Sequence, residues 1–329
     1  MIVNSNRRSK ILILTYLGLG DLVRTNGIVR TYRKFYDTVA IFAGGGNVET
    51  CEFMYRDDPN IKILKSYTPV IGSKTCVSIN KYNKMIETIE SFYEDGYEIL
   101  PLASIERWED IHKFLSQTKL DEIENRTKLY KQTQGFHFLS MYSSAGLSIE
   151  TSILNFKVNR DLDRENILYD KLVSQVGKKY IIVHDKRNYE DRGYGPHKID
   201  DKLITNPYNL PIVRLEEDIK EPGRKSIWSD DFFDYCTILE KAEQLHLMCS
   251  SFANLVDVMS EFHDKEKYIH FYSKLKHPAQ RRGGQADFNY YSPNWIVIYK
   301  NGKKVPLNVR PINIECIPKL SKAYYDMCD

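Results

Sequence analysis

Three short stretches carry residues able to do chemistry at telling spacings. In "LGLGDLVRTNGIVR" (residues 17–30), which follows the apolar run "ILILTY", Asp21 stands behind Gly18 and Gly20 where a strand turns into a helix. A tight turn at that point presents a carboxylate together with free backbone N–H groups. Asp21 is then either a base aimed at a substrate hydroxyl or a helix N-cap. In "ILEKAEQLHLMCSSFANLVD" an apolar strand ends in Cys249, Ser250 and Ser251, and a helix carrying Phe252 and Asn254 begins at once. Hydroxyls and unpaired amides at a helix start suit a diphosphate, or make a serine cap and no more. Glu240 and Glu243 precede that strand, to hold ribose hydroxyls or to face water. In "YIIVHDKRNYEDRGYG" a buried strand delivers His184, Asp185, Lys186 and Arg187 to one rim. Cations there suit a departing diphosphate, while His184 is alternatively a hydrogen-bonded core histidine.

Other patterns narrow the choice. Gly18-x-Gly20 begins a dinucleotide fingerprint, but Val23 holds the third glycine position, and "IFAGGGN" ends the second strand where a ribose-binding acid is expected. Gly44 to Gly46 lets a ligand approach the backbone closely or simply makes a turn. Asp161-x-Asp163 has the form of a metal–diphosphate site, yet it sits just before a helix, where a cap and surface charge account for it. No metal is expected.

These residues need strand tips to hold them. The first half alternates "KILILTY", "TVAIFAG", "IKILK" and "YEILPL" as strands with amphipathic helical segments between them, and helices follow over residues 105–115 and 120–142. The second half repeats the alternation. "RENILYDKLVSQVG", "SDDFFDYCTILEKAEQ" (capped by Ser229 or Asp230) and "FANLVDVMSEF" read as helices. "KKYIIVHD", "LPIVRLE", "LHLMCSS" and "KYIHFYS" read as strands, "WIVIYKNGKKVPL" as a strand or an Asn-Gly hairpin, and "IPKLSKAYYDMCD" as a closing helix. Such alternation predicts an α/β fold of two doubly wound, Rossmann-like halves meeting near residues 156–163, with ligands beyond the carboxyl ends of the strands.

Bulk properties exclude several classes. The 329 residues suit two domains, and a net charge of +3 from 47 basic and 44 acidic side chains leaves no nucleic-acid footprint. The basic clusters "NRRSK" and "KHPAQRRGG" either meet phosphates or form a solvated face. No apolar stretch approaches the ~18 residues of a membrane span. Six cysteines without a CxxC pair predict reduced thiols and a cytoplasmic protein.

"LGLGDLVRTNGIVR" resembles the opening segment of heptosyltransferase-like glycosyltransferases of the two-domain GT-B architecture. "ILEKAEQLHLMCSSFANLVD" is similar in place and character to their strand-turn-helix that holds the sugar nucleotide, and "YIIVHD" fits the first strand of their donor domain. The family's "DTG" or "DSG" turn reads Cys249-Ser250-Ser251 here, and Asn254 stands where a histidine is usual. The resemblance implies two Rossmann-like domains facing across a cleft, with an acceptor domain over residues 1–158 and a nucleotide-sugar donor domain over 159–329. The C-terminal helix would pack back on the first domain. Asp21 would be the general base. Gly18, Gly20, His184, Lys186, Arg187, Glu240, Ser250, Ser251, Phe252 and Asn254 would bind the donor. The reaction implied is inverting, metal-independent sugar transfer from a nucleotide-diphosphate sugar, with no other cofactor, to a glycan or glycoconjugate. A non-catalytic nucleotide- or sugar-binding protein and a Rossmann oxidoreductase remain alternatives.

Overall fold

The computed structural model describes residues 8–15, 18–66, 79–102, 109–131, 137–185, 199–215, 229–248, 250–271, 292–299 and 301–306. They form two compact α/β units, the first running through Asn159 and the second starting at Arg160. Lys186, Arg187, Cys249 and the expected closing helix lie outside the described residues. No helix among those described is long and apolar enough to cross a membrane.

The first unit holds a parallel sheet of β1 (Arg8–Leu14), β2 (Tyr36–Gly44), β3 (Ile61–Ser66) and β4 (Glu98–Pro101), in the order β3-β2-β1-β4. Helices α1 (Leu19–Tyr32), α2 (Val48–Tyr55) and α3 (Ile79–Glu94) alternate with the strands. After β4 come α4 (Glu109–His112), α5 (Gln117–Lys131), α6 (His137–Ser144) and α7 (Thr151–Leu154). Leu12, Leu14, Ala40 and Phe42 pack against Tyr82, Met85 and Ile89 of α3 and Ile111 of α4. Ile11 and Ile13 point to the opposite face and are equally buried. Both faces are therefore covered, which is why β1 reads as an unbroken apolar run. Helix α1 lies so close to α7 that a β-carbon on Gly27 would stand 2.4 Å from the Thr151 carbonyl oxygen.

The second unit opens with α8 (Leu162–Val176), capped by the Asp161 carboxylate, which accepts from the Arg164 amide at 3.2 Å. The cap reading of Asp161 is the one observed. Strands β5 (Ile181–His184), β6 (Ile212–Arg214), β7 (Gln244–Met248), β8 (Lys267–Phe271) and β9 (Trp295–Tyr299) run parallel, and β10 (Lys304–Pro306) pairs antiparallel with β9. The sheet order is β10-β9-β8-β7-β5-β6. Of the two readings of "WIVIYKNGKKVPL" the hairpin is the one that forms. Gly302, at φ +82°, closes its turn and donates to the Tyr299 carbonyl oxygen at 2.8 Å.

One expected helix is divided. "SDDFFDYCTILEKAEQ" forms a 3₁₀ turn, Phe232–Tyr235, and then α9 (Cys236–Lys241). The cap is Asp231, whose side chain accepts from the Phe233 amide at 3.0 Å, rather than Ser229 or Asp230. The Ser229 hydroxyl is bonded to Asp234 instead. Phe232 and Phe233 are both buried in that turn. Helix α10 (Ser251–Val258) follows β7. On the inner strands, His246 Nδ1 and His270 Nε2 share a hydrogen bond at 2.9 Å, and His246 stacks on Tyr268 with ring centroids 4.4 Å apart.

Candidate functional site

In the first unit the chain order 3-2-1-4 places a topological switch between β1 and β4, where doubly wound sheets leave a crevice beyond their carboxyl ends. The link from β1 to α1 leaves the sheet at that switch. Gly18 is the N-cap of α1 at φ −67°, ψ 140°, so Asp21 is the third helical residue and not the cap. Its half-buried carboxylate folds back over Gly18. A carboxylate in the first turn of a helix lies in the positive field of the backbone dipoles. The turn is fixed from behind: the Thr25 hydroxyl donates to the Asp21 carbonyl oxygen at 2.7 Å and shares a 3.0 Å hydrogen bond with Thr15 at the end of β1. Gly20 sits inside the first turn beside Asp21. Gly45–Asn47 forms a 3₁₀ turn after β2.

In the second unit the chain order 2-1-3-4-5 places the switch between β5 and β7. His184 ends β5 and Ser250 follows β7, and parallel pairing of the two strands brings these residues together across 66 positions of sequence. His184 Nδ1 lies 3.2 Å from Ser250 Oγ. Ser250 also caps α10, its Oγ accepting from the Ala253 amide at 3.4 Å. Phe252 meets the edge of the His184 ring at 4.8 Å and packs against Phe232 at 4.7 Å and Tyr235 at 5.4 Å. Burial on this aromatic wall pushes the imidazole down to about 4, against a smaller opposing pull from Asp185, so His184 is neutral near pH 7. Ser251 is half-buried in the first turn of α10, and Asn254 is buried one turn further along.

Glu240 and Glu243 separate from this cluster within the second unit. Glu240 is a correction. It lies in α9, which leads into the amino end of β7, and so stands at the sheet edge opposite Ser250, ~16 Å of strand away. There it bonds Arg160 at 2.9 Å, beside the Arg160–Glu165 pair at 2.5 Å. Glu165 also accepts from the amide and the hydroxyl of Thr237, which ties α8 to α9. Glu243 is at that same far edge, its amide donating to the Tyr180 carbonyl oxygen. Asp185, which directly follows β5, is buried and held from the side: it pairs with Arg214 at 2.5 Å and accepts from the Ile199 amide at 2.7 Å.

Two sets of residues were not singled out from the sequence. Phe232 and Tyr235 build the wall behind Phe252, and the aromatic run "DFFDY" was their only signal. Arg214, itself paired with Asp201, holds Asp185 in place, and nothing local in the sequence marks that meeting.

No family model matches the chain, and no curated protein matches it. The heptosyltransferase-like expectation therefore gains nothing from the comparisons. Among solved structures the chain is similar to Arabidopsis thaliana UGT89C1 complexed with quercetin, at 10% identity over 80% of this chain and 79% of that one, with a TM-score of 0.40.

Proposed function

We propose that the protein is a glycosyltransferase that moves a sugar from a nucleotide-diphosphate sugar to a hydroxyl of a glycan or glycoconjugate, with inversion and without a metal. The observation that carries this reading is the meeting of His184, Ser250 and the start of α10 at the β5/β7 switch point. A neutral imidazole and first-turn amides are uncharged donors suited to diphosphate oxygens. Lys186 and Arg187, which follow His184 in sequence, would add the positive charge that a departing diphosphate requires.

In this proposal Asp21 takes the proton from the acceptor hydroxyl. The oxygen then attacks the anomeric carbon as the bond to the diphosphate breaks, and the nucleoside diphosphate leaves with that electron pair. A positioned base of this kind contributes about 10²–10⁴-fold. Gly18 and Gly20, expected to bind donor, are better understood in this mechanism as the turn that orients Asp21. The protein is proposed to act in the cytoplasm.

The test is a thermal-shift panel of UDP-, GDP-, ADP- and CMP-sugars, followed by assay of free nucleoside diphosphate with candidate acceptors. A ligand present at 100 times its Kd stabilises by about 2.7 kcal/mol. One nucleotide class should raise Tm, and Asp21→Ala should abolish transfer while keeping that shift. Transfer that survives in Asp21→Ala refutes the role of the base, and a flat panel refutes the donor site. Binding without release of diphosphate in any acceptor mixture would favour a binding protein instead.

A further inference from the structure

We propose that Ser250 is a positioning residue: its hydroxyl donates to Nδ1 of His184 and so holds the imidazole proton on Nε2, from which it is offered to an oxygen of a bound diphosphate. The diphosphate part rests on the donor-site reading above. The tautomer assignment stands on hydrogen-bond geometry alone.

A serine hydroxyl has one proton to give and two lone pairs. One lone pair of Ser250 Oγ accepts the Ala253 amide at 3.4 Å, as an N-cap should. The proton still needs an acceptor, and the partner at hydrogen-bond distance among the described residues is His184 Nδ1, 3.2 Å away. With the proton on Nδ1 instead, the ring would donate to Oγ, and the hydroxyl proton would have no acceptor among the described residues. Nε2 would then meet any anion as a bare lone pair. With the proton on Nε2 every group is used, and no hydrogen bond from another described residue reaches Nε2. The edge contact with Phe252 at 4.8 Å restrains the ring from turning, and burial keeps it uncharged. A neutral donor of fixed direction recognises anionic oxygen without the cost of burying a cation.

The test uses the full chain labelled with ¹⁵N-histidine, with the His184 signals identified among the eight histidines by their loss in His184→Gln. Near pH 7.5 the native chain should show His184 protonated on Nε2. Ser250→Ala should give a mixture of the two tautomers, and Ser250→Thr should restore the native one. Ser250→Asp keeps the helix cap but offers only an acceptor, so it should draw the proton to Nδ1. Titration with inorganic pyrophosphate should show binding about tenfold weaker in Ser250→Ala, the loss of roughly one well-made hydrogen bond, and near-native in Ser250→Thr. A native His184 protonated on Nδ1, or a Ser250→Ala chain with an unchanged tautomer, overturns the proposal. A native chain with the Nε2 proton that binds no pyrophosphate overturns the donor-site reading instead.

Discussion

The Oδ2 atom of Asp21 lies 2.8 Å from the point that a β-carbon on Gly18 would occupy. The backbone of Gly18 is in an ordinary extended conformation open to any residue, so the glycine is there for room and not for its torsion angles. Gly18→Ala should therefore swing the carboxylate aside while the fold stays intact, because the atom displaced is the far end of a side chain and not backbone. Transfer activity should fall toward that of Asp21→Ala, within the 10²–10⁴-fold expected for loss of a base, with Tm nearly unchanged. Full activity in Gly18→Ala would show that the folded-back position of Asp21 has no part in the reaction.

Gly27 makes the opposite case, since two of its three nearest neighbours are backbone and the third is the Tyr142 hydroxyl. A β-carbon there would meet the Thr151 carbonyl oxygen at 2.4 Å and the Ser152 Cα at 2.9 Å. Helices α1 and α7 would have to part. Gly27→Ala should cost about 1–3 kcal/mol in urea unfolding, as overpacked cores do. A stabilised variant would mean that the two helices are not closely packed in solution.

The Arg160 network should matter for stability and not for the donor. Glu165→Ala removes a buried carboxylate bonded to Arg160 and Thr237 and should cost about 3–5 kcal/mol. Glu240→Gln removes a more open partner of the same guanidinium and should cost about 1 kcal/mol. Its affinity for the stabilising nucleotide sugar should match that of the native chain. A large loss of affinity in Glu240→Gln would restore the ribose contact that its position at the amino edge of β7 argues against.

Three histidines should make the protein sensitive to acid. Burial holds His184 and His270 down to about 4 and His246 down to about 2, with His270 and Lys304 adding to the effect at His246. An unfolded histidine titrates near 6.5, so below that pH the unfolded chain takes up protons that the folded chain refuses. Stability is then complete above about pH 6.5 and falls as the pH drops toward 4, by on the order of 2 kcal/mol per histidine at pH 5. Urea midpoints measured at pH 7.5 and pH 5 should show the loss, and His246→Leu should flatten the slope. Equal midpoints would mean that these rings are open to water.

Much of the architecture was legible before any coordinates. The apolar run of β1, the alternation around it and the Asn301-Gly302 turn are local signals, and local signals survive folding. The position of Glu240 was also within reach, since a helix that precedes a strand must deliver its end to the amino edge of that strand. The contact of His184 with Ser250 was not, because it depends on β7 lying beside β5 while β6 takes the other flank. Sequence order alone does not choose between those neighbours. Likewise Asp185 reads as a rim acid until Arg214, 29 positions away, is found to hold it.

The β9–β10 hairpin has a use unrelated to sugars. Among the described strands β10 is the outermost of its sheet, three residues long, carrying Lys304 and ending in Pro306, which has no amide proton to give. A short, charged, proline-ended border offers a neighbouring molecule little to continue by main-chain pairing. On that side the sheet is closed to growth, and crowded copies of the chain should resist joining border to border into fibres.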